Sequence, residues 1–374
     1  MSKIKVLIVT ESISYGGLNI ASVKFEEYLD KTKYECVYCV RRSQIGELEQ
    51  AVLDRGVRVI HVPDSELNYL KSYRFYKRLM TEESYDIVHC HLPFFSGIVL
   101  MAAYKCGVFK RIAHAHFTQP YTDTEIYSKP KQFVAGIYRK VMRSFLKKYC
   151  NIKIACSLQA GNFLFGEKEF EKNGIVLNNG IDLNEYSFDI YARNSVRNDL
   201  HIPEDAEVLG HIGQLYSVKN QSFVIDVFNE YHKINVNSYL LLIGEGSDRE
   251  RLEQKIQELD LAKFAFLLGA RKDANKLYQA MDCFLFPSVH EGFPLTLIEA
   301  QASGLTCLIS DNVNKKTKFN DNVEFLSINV SPKVWAERIN DFVGIDRSDY
   351  LVSDSIHQFD IKYVINKLEE LYSS

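Results

Sequence analysis

The 374-residue chain carries 46% hydrophobic and 25% charged residues and a formal net charge of −3, a balance that excludes disordered, collagen-like and disulfide-scaffold classes. At roughly 150 residues per domain, the length points to two domains. Charge is unevenly spread: residues 1–182 carry a net +7 and residues 183–374 a net −10. A basic half suits nucleic acid, an anionic membrane surface or an anionic substrate such as a lipid-linked phosphate, and composition does not choose among them.

In chain order, the apolar run Val6–Val9 is too short for the core of a signal peptide and is expected to be the first strand of a cytoplasmic protein. Short β-branched runs follow at Tyr34–Val40, Val57–Val62, Asp86–His91, Arg111–His116 and Ile152–Ser157. Helix-length amphipathic stretches separate them, which predicts parallel βαβ units. After the turn-rich segment Asn178 to Asp182 the pattern restarts with Glu207–Gly213, Tyr239–Gly244, Phe264–Gly269, Cys283–Pro287 and Thr306–Ser310. The chain therefore reads as α/β, with two doubly wound Rossmann-like domains facing a cleft: residues 1–178, a linker near 179–190, and residues 185–355. Open parallel sheets bind ligands at the carboxyl ends of their strands. Helical spacing over Ile361–Tyr372 makes the tail, residues 358–374, a candidate to pack back on the first domain. The longest uncharged apolar stretch, Phe94 to Tyr104, falls short of the ~20 residues of a membrane span. The eight cysteines lie mostly in apolar runs and are expected to be free, buried thiols.

Four segments carry residue types suited to chemistry. Gly16-Gly17 follows the first strand and precedes a helical stretch, so backbone amides there could face an anion, although a plain tight turn accounts equally for a glycine pair. The strand ending Ala113-His114-Ala115-His116 puts two histidines on one face or at its exit. With His89 and His91 one strand away they could form a metal site, but no carboxylate or cysteine stands at a recognisable ligand spacing and no metal site is expected. After the run Val208–Gly213, Lys219 opens a helix where a pyrophosphate could meet it. The densest signal is Glu291-Gly292-Phe293-Pro294-Leu295, with Glu299 eight positions after Glu291. Pro294 suits the first helical position, leaving the amides around Phe293 and Leu295 for an anion. Glu299 falls on an otherwise apolar helix, where a ribose diol is a natural partner for a carboxylate, the alternative being the exposed face of an amphipathic helix.

Together with Val176 to Asp182, Gly244-Glu245-Gly246 and Ala300 to Gly304, these residues resemble the family-4 retaining glycosyltransferases of GT-B fold, in their bacterial capsule and exopolysaccharide branch. The resemblance implies an enzyme that moves a sugar from a nucleotide diphosphate sugar, a uridine one, to a glycan or lipid-linked saccharide. The first domain would hold the acceptor and the second the donor. It implies that Gly16 and Gly17 offer amides to the distal phosphate, Lys219 neutralises the pyrophosphate and Glu299 holds the ribose. Gly292, Phe293, Pro294 and Leu295 would line the nucleotide sugar, with further amides from Phe293 and Leu295, and Arg271 would border the base. Glu291 would bind the transferred sugar's hydroxyls, and His116, aligning better than His114, would assist acceptor reactivity. No Asp-x-Asp motif is present, so no cofactor or metal is expected and the leaving-group charge falls to Lys219 and a helix N-terminus. One departure concerns the chemistry: Gln214 stands where the family usually has arginine, and a lost charge-assisted contact costs about 1–3 kcal/mol.

The basic helix expected at Tyr138–Tyr149 sets Val141, Met142, Phe145, Leu146 and Tyr149 against Arg139, Lys140, Arg143, Lys147 and Lys148. Its apolar side would pack on the first sheet; a peripheral contact with the anionic inner face of the cell membrane is the other use of such a helix. Competing classes are a sugar-nucleotide epimerase or hydrolase of similar fold, which would turn over donor without acceptor, and a non-catalytic partner subunit, favoured only by Gln214. A nicotinamide oxidoreductase lacks its third glycine, and nucleic-acid binding has only the charge split behind it.

Overall fold

The computed structural model describes residues 3–14, 17–116, 129–291, 293–342, 347 and 353–374. It divides into two compact units, Met1–Gly180 with Ile361–Ser374, and Ile181–Asp360.

The first unit is a seven-stranded parallel sheet in the order β3-β2-β1-β4-β5-β6-β7. Its strands are β1 (Ile4–Thr10), β2 (Tyr34–Val40), β3 (Arg58–His61), β4 (Ile87–Cys90), β5 (Lys110–Ala115), β6 (Ile152–Ala155) and β7 (Gly174–Val176). The alternation of a strand explains why the run is apolar throughout: Leu7 and Val9 enter the core on one face, Val6 and Ile8 the core on the other. The helix Ile361–Ser373 covers the second face, burying Ile361, Val364, Ile365, Leu368 and Tyr372 against Val6 and Ile8. Fully buried side chains of this kind contribute about 1.5–3 kcal/mol each. The Lys110 ammonium, at the start of β5, donates to the carbonyls of Leu371 (3.1 Å) and Tyr372 (2.6 Å) and caps that helix's C-terminus.

The second unit has a six-stranded parallel sheet in the order β10-β9-β8-β11-β12-β13. Its strands are β8 (Glu207–Ile212), β9 (Ser238–Ile243), β10 (Ala265–Leu267), β11 (Cys283–Phe286), β12 (Thr306–Ser310) and β13 (Val323–Leu326). The edge strands β7 and β13 are not among the strands expected from the sequence: both are largely half-buried or exposed and so lack a continuous apolar run. Both sheets reverse their strand order beside the first strand of the unit, the topology of a doubly wound fold.

The basic helix runs over Lys129–Tyr149 and so begins nine residues before the expected start. Met142, Leu146 and Tyr149 pack on the first sheet, but Val141, expected among them, is 44% exposed and lines up with exposed Phe133, Val134 and Ile137. All eight cysteines are free thiols, six of them buried. Among the described residues no helix is long and apolar enough to cross a membrane.

Candidate active site

In the second unit, the site is built where β8 and β11 end. Beyond β8 the chain turns through a single 3-10 turn, Ser217–Lys219, then Asn220 in the left-handed region, and enters the helix Gln221–Ile234. Two bonds fasten this turn to the exit of β11: the amide of Val289 donates to the carbonyl of Val218 (2.8 Å), and the Asn220 side chain donates to the carbonyl of Pro287 (3.2 Å). The result is an ion pair between Lys219 Nζ and Glu291 Oε1 at 2.5 Å, both side chains more than four-fifths buried. Lys219 also lies 5.4 Å from the centre of the Phe286 ring. Glu291 is held by a bridge to Val313, and Gly292 lies outside the described residues.

Phe293 stacks on Phe359 at 5.2 Å and so anchors the loop that leads into the helix Leu295–Ala302. Pro294 is the N-cap of that helix, at ψ 123°, and Leu295 its first helical residue, one position later than expected. The extended ψ is what a residue at the boundary requires, so the proline's fixed φ serves the cap.

Glu299 does not occupy an exposed helix face. Its neighbours Leu297, Ile298, Ala300 and Gln301 are buried, and its Oε2 accepts from the Tyr278 hydroxyl at 2.9 Å. Burial pushes the carboxyl pKa up, and hydrogen bonds from Tyr278 and Tyr186 oppose that shift. The two tyrosines are neighbours that the sequence pattern did not single out; Tyr186 and Tyr278 lie 113 and 21 residues before Glu299, in no recognisable motif, and only the fold brings them to it.

Gln214 sits at the exit of β8 with its side chain exposed, its carbonyl accepting from the Gln221 side chain (2.8 Å). Glycines at 244 and 246 let this loop close on its neighbour: a Cβ on Gly244 would stand 1.9 Å from the Gly213 carbonyl oxygen, and one on Gly246 would stand 2.3 Å from that of Leu215. Arg271 is in the loop after β10 and is held by Asp273 through two bonds of 2.8 and 2.7 Å. Lys219 and Glu291 are thus brought together, whereas Glu299 and Arg271 each have a separate partner.

In the first unit, Gly17 begins the helix Gly17–Tyr28 after β1, and Gly16 lies outside the described residues. His116 directly follows β5 and, with His89, His91 and His114, forms a chain of stacked imidazoles on one face of the sheet. His91 Nδ1 and His116 Nε2 are 2.8 Å apart, His89 Nε2 and His114 Nδ1 3.2 Å, and His89 Nδ1 meets the Tyr372 hydroxyl at 2.7 Å. Burial holds His89 and His116 near a pKa of about 3 and His91 and His114 well below the usual value, so all four are neutral at pH 7. Among the described residues, His89, His91 and His114 each offer a ring nitrogen within 4.8 Å of the others and form a group that could hold a metal ion. The close His89 and His114 nitrogens are occupied by the hydrogen bond between those two rings.

Two family models cover the chain in tandem: Glycosyltransferase Family 4 over residues 15–185 and Glycosyl transferases group 1 over residues 192–349. The chain belongs to the family-4 glycosyltransferases of GT-B fold. It is 28% identical to the glycosyltransferase EpsF of Bacillus subtilis (strain 168) over 342 residues, 90% of this chain and 87% of that one. It is 23% identical to the capsular polysaccharide biosynthesis glycosyltransferase CapH of Staphylococcus aureus over 376 residues, 99% of each. The fold matches that of HepE from Anabaena, solved in complex with UDP, at a TM-score of 0.78 and 18% identity over the whole of both chains. This glycosyltransferase thus places the Lys219–Glu291 pair, the glutamate-to-glutamate segment and the glycine-lined loop in its second GT-B domain, and the histidine chain in its first.

Proposed function

We propose that this glycosyltransferase moves a sugar from a UDP-sugar to a glycan or lipid-linked saccharide in capsule or exopolysaccharide synthesis, with retention of anomeric configuration and without a metal. The observation that carries the donor reading is the buried Lys219–Glu291 pair at the strand exits of the second unit, one helix N-terminus away from Glu299. UDP in the HepE structure and the capsular role in the name of CapH support the choice of nucleotide and pathway class.

In this reading the bond between the sugar's anomeric carbon and the diphosphate oxygen breaks as positive charge develops on the ring. Lys219 and the amides of Phe293 and Leu295 take up the charge of the departing diphosphate. Glu291 exchanges Lys219 for the sugar hydroxyls, and Glu299 exchanges its tyrosine bonds for the ribose diol. Arg271 borders the base. The acceptor hydroxyl then attacks the anomeric carbon from the face the diphosphate leaves, and its proton passes to the departing phosphate oxygen. His116, neutral through burial, assists at the acceptor.

The same chain is proposed to lie peripherally on an anionic membrane. On the helix Lys129–Tyr149 the exposed side chains Phe133, Val134, Ile137 and Val141 form a stripe beside Arg139, Lys140, Lys147 and Lys148, the pattern of a helix seated in a bilayer interface.

Calorimetric titration with UDP, GDP, ADP, CMP and NAD, with and without a chelator, tests the donor reading. Saturable UDP binding unchanged by the chelator is expected. Binding that requires a divalent ion would overturn the metal-free mechanism, and absence of binding would favour the partner-subunit reading that Gln214 suggests.

A further inference from the structure

A second cationic site lies at the other end of the first sheet. The carboxyl end of β5 leads to His116; at the amino ends of β5 and β6 the helix Lys129–Tyr149 finishes, β6 begins and the helix Glu167–Asn173 packs alongside. Between these three elements is a concavity of about 890 Å³. Arg143, Lys147, Lys153, Lys168 and Lys172 line it, and Glu169 is its one carboxylate.

These charges are gathered at a cost. Lys153 is 7% exposed, and Glu169 is shared between it (3.3 Å) and Lys147 (3.7 Å). Arg143 donates to the Phe163 carbonyl at 2.7 Å, while its Nε is buried without a hydrogen-bond partner. Five cations around one carboxylate repel one another at a recess whose low-dielectric walls focus their field. An anion in the recess relieves that repulsion. A phosphate ester matches best, since three oxygens can meet a guanidinium and several ammonium groups at once.

We propose that this recess is a binding site for a phosphate ester, such as the headgroup of an anionic phospholipid or a soluble phosphorylated metabolite. The site stands on the first unit alone and does not depend on the donor reading or on the apolar stripe.

The experiment is calorimetric titration of the full chain with glycerol phosphate, paired with sedimentation on phosphatidylcholine vesicles with and without phosphatidylglycerol. Saturable one-to-one binding is expected. Lys168→Ala with Lys172→Ala, both exposed, should weaken it by about tenfold, as expected for lost charge-assisted bonds. Glu169→Gln, which removes the competing anion, should strengthen it. Lys140→Ala with Lys148→Ala removes equal charge from the neighbouring helix Lys129–Tyr149, outside the recess, and should change affinity for glycerol phosphate by less than about twofold, the effect of a screened distant charge. If phosphatidylglycerol vesicles compete with glycerol phosphate and release the Lys168/Lys172 variant, the ligand is a headgroup; if vesicle binding ignores that variant, it is a soluble ester. No saturable binding of glycerol phosphate, or equal losses of glycerol phosphate affinity in the two lysine pairs, overturns the proposal.

Discussion

In the proposed donor site, the Lys219–Glu291 ion pair keeps two largely buried side chains charge-balanced without a ligand. Each partner shields the other from an uncompensated buried charge, so truncating either leaves an ion in a site that is four-fifths buried. Lys219→Ala should lower UDP affinity by about tenfold or more, the value of a lost charge-assisted bond, in a calorimetric titration. Glu299→Ala should also weaken nucleotide binding, because Tyr278 and Tyr186 would be left to face the ribose alone. Glu291→Ala and His116→Ala should instead lower turnover with nucleotide affinity nearly intact, and the reverse pattern would sink the assigned roles. Gln214→Arg restores the charge usual in the family; steady-state assays should register a gain of about tenfold if about 1.4 kcal/mol of leaving-group stabilisation returns. A loss would mean that the loop, held through the Gln214 carbonyl by Gln221, has adapted to a neutral side chain.

At the scale of elements, the histidine chain on β4 and β5 ties stability to pH. A histidine whose folded pKa is depressed contributes stability that is present above its unfolded pKa, near 6.5, and is lost as pH falls toward the folded value. His89 and His116 have folded values of about 3 and His91 and His114 lie well below normal, so the native state stays neutral while the unfolded chain takes up four protons. Each such group costs about 1.4 kcal/mol between pH 7.5 and 5.5, and urea midpoints for the first unit should fall steeply over that interval. Unchanged midpoints would show that the rings are already solvated. In the second unit, Gly244 adopts φ 144° with no room for a Cβ, so Gly244→Ala should destabilise the β9 exit by more than about 1 kcal/mol. Thermal unfolding with and without UDP would measure it.

For the molecule as a whole, the charge split follows the division into units. Residues 1–180 with 361–374 carry +8 and residues 181–360 carry −11, which together give the −3 of the chain. Attraction to an anionic bilayer would therefore be a property of the first unit, where the exposed stripe of the helix Lys129–Tyr149 also lies. Vesicle binding should fall as ionic strength rises, because exposed charges are screened beyond about 8 Å in physiological salt. Neutralising Lys140, Arg143, Lys147 and Lys148 together should abolish it; unchanged liposome binding in that variant would remove the membrane reading.

Periodicity alone was enough to read the two α/β sheets apart from the edge strands β7 and β13, because strands buried on both faces must be apolar throughout, as Val6 to Val9 and Leu240 to Ile243 are. The segment from Glu291 to Glu299 was equally legible, since a proline at a helix start and acids in an apolar run are local exceptions to local rules. Pairing is not local. That Lys219 meets Glu291, that Tyr278 and Tyr186 satisfy Glu299, and that four histidines stack depends on which strand exits become neighbours, and strand order is absent from periodicity. The apolar stripe of the helix Lys129–Tyr149 was hidden for a related reason: a sequence shows two apolar faces, and only packing decides which of them the sheet covers.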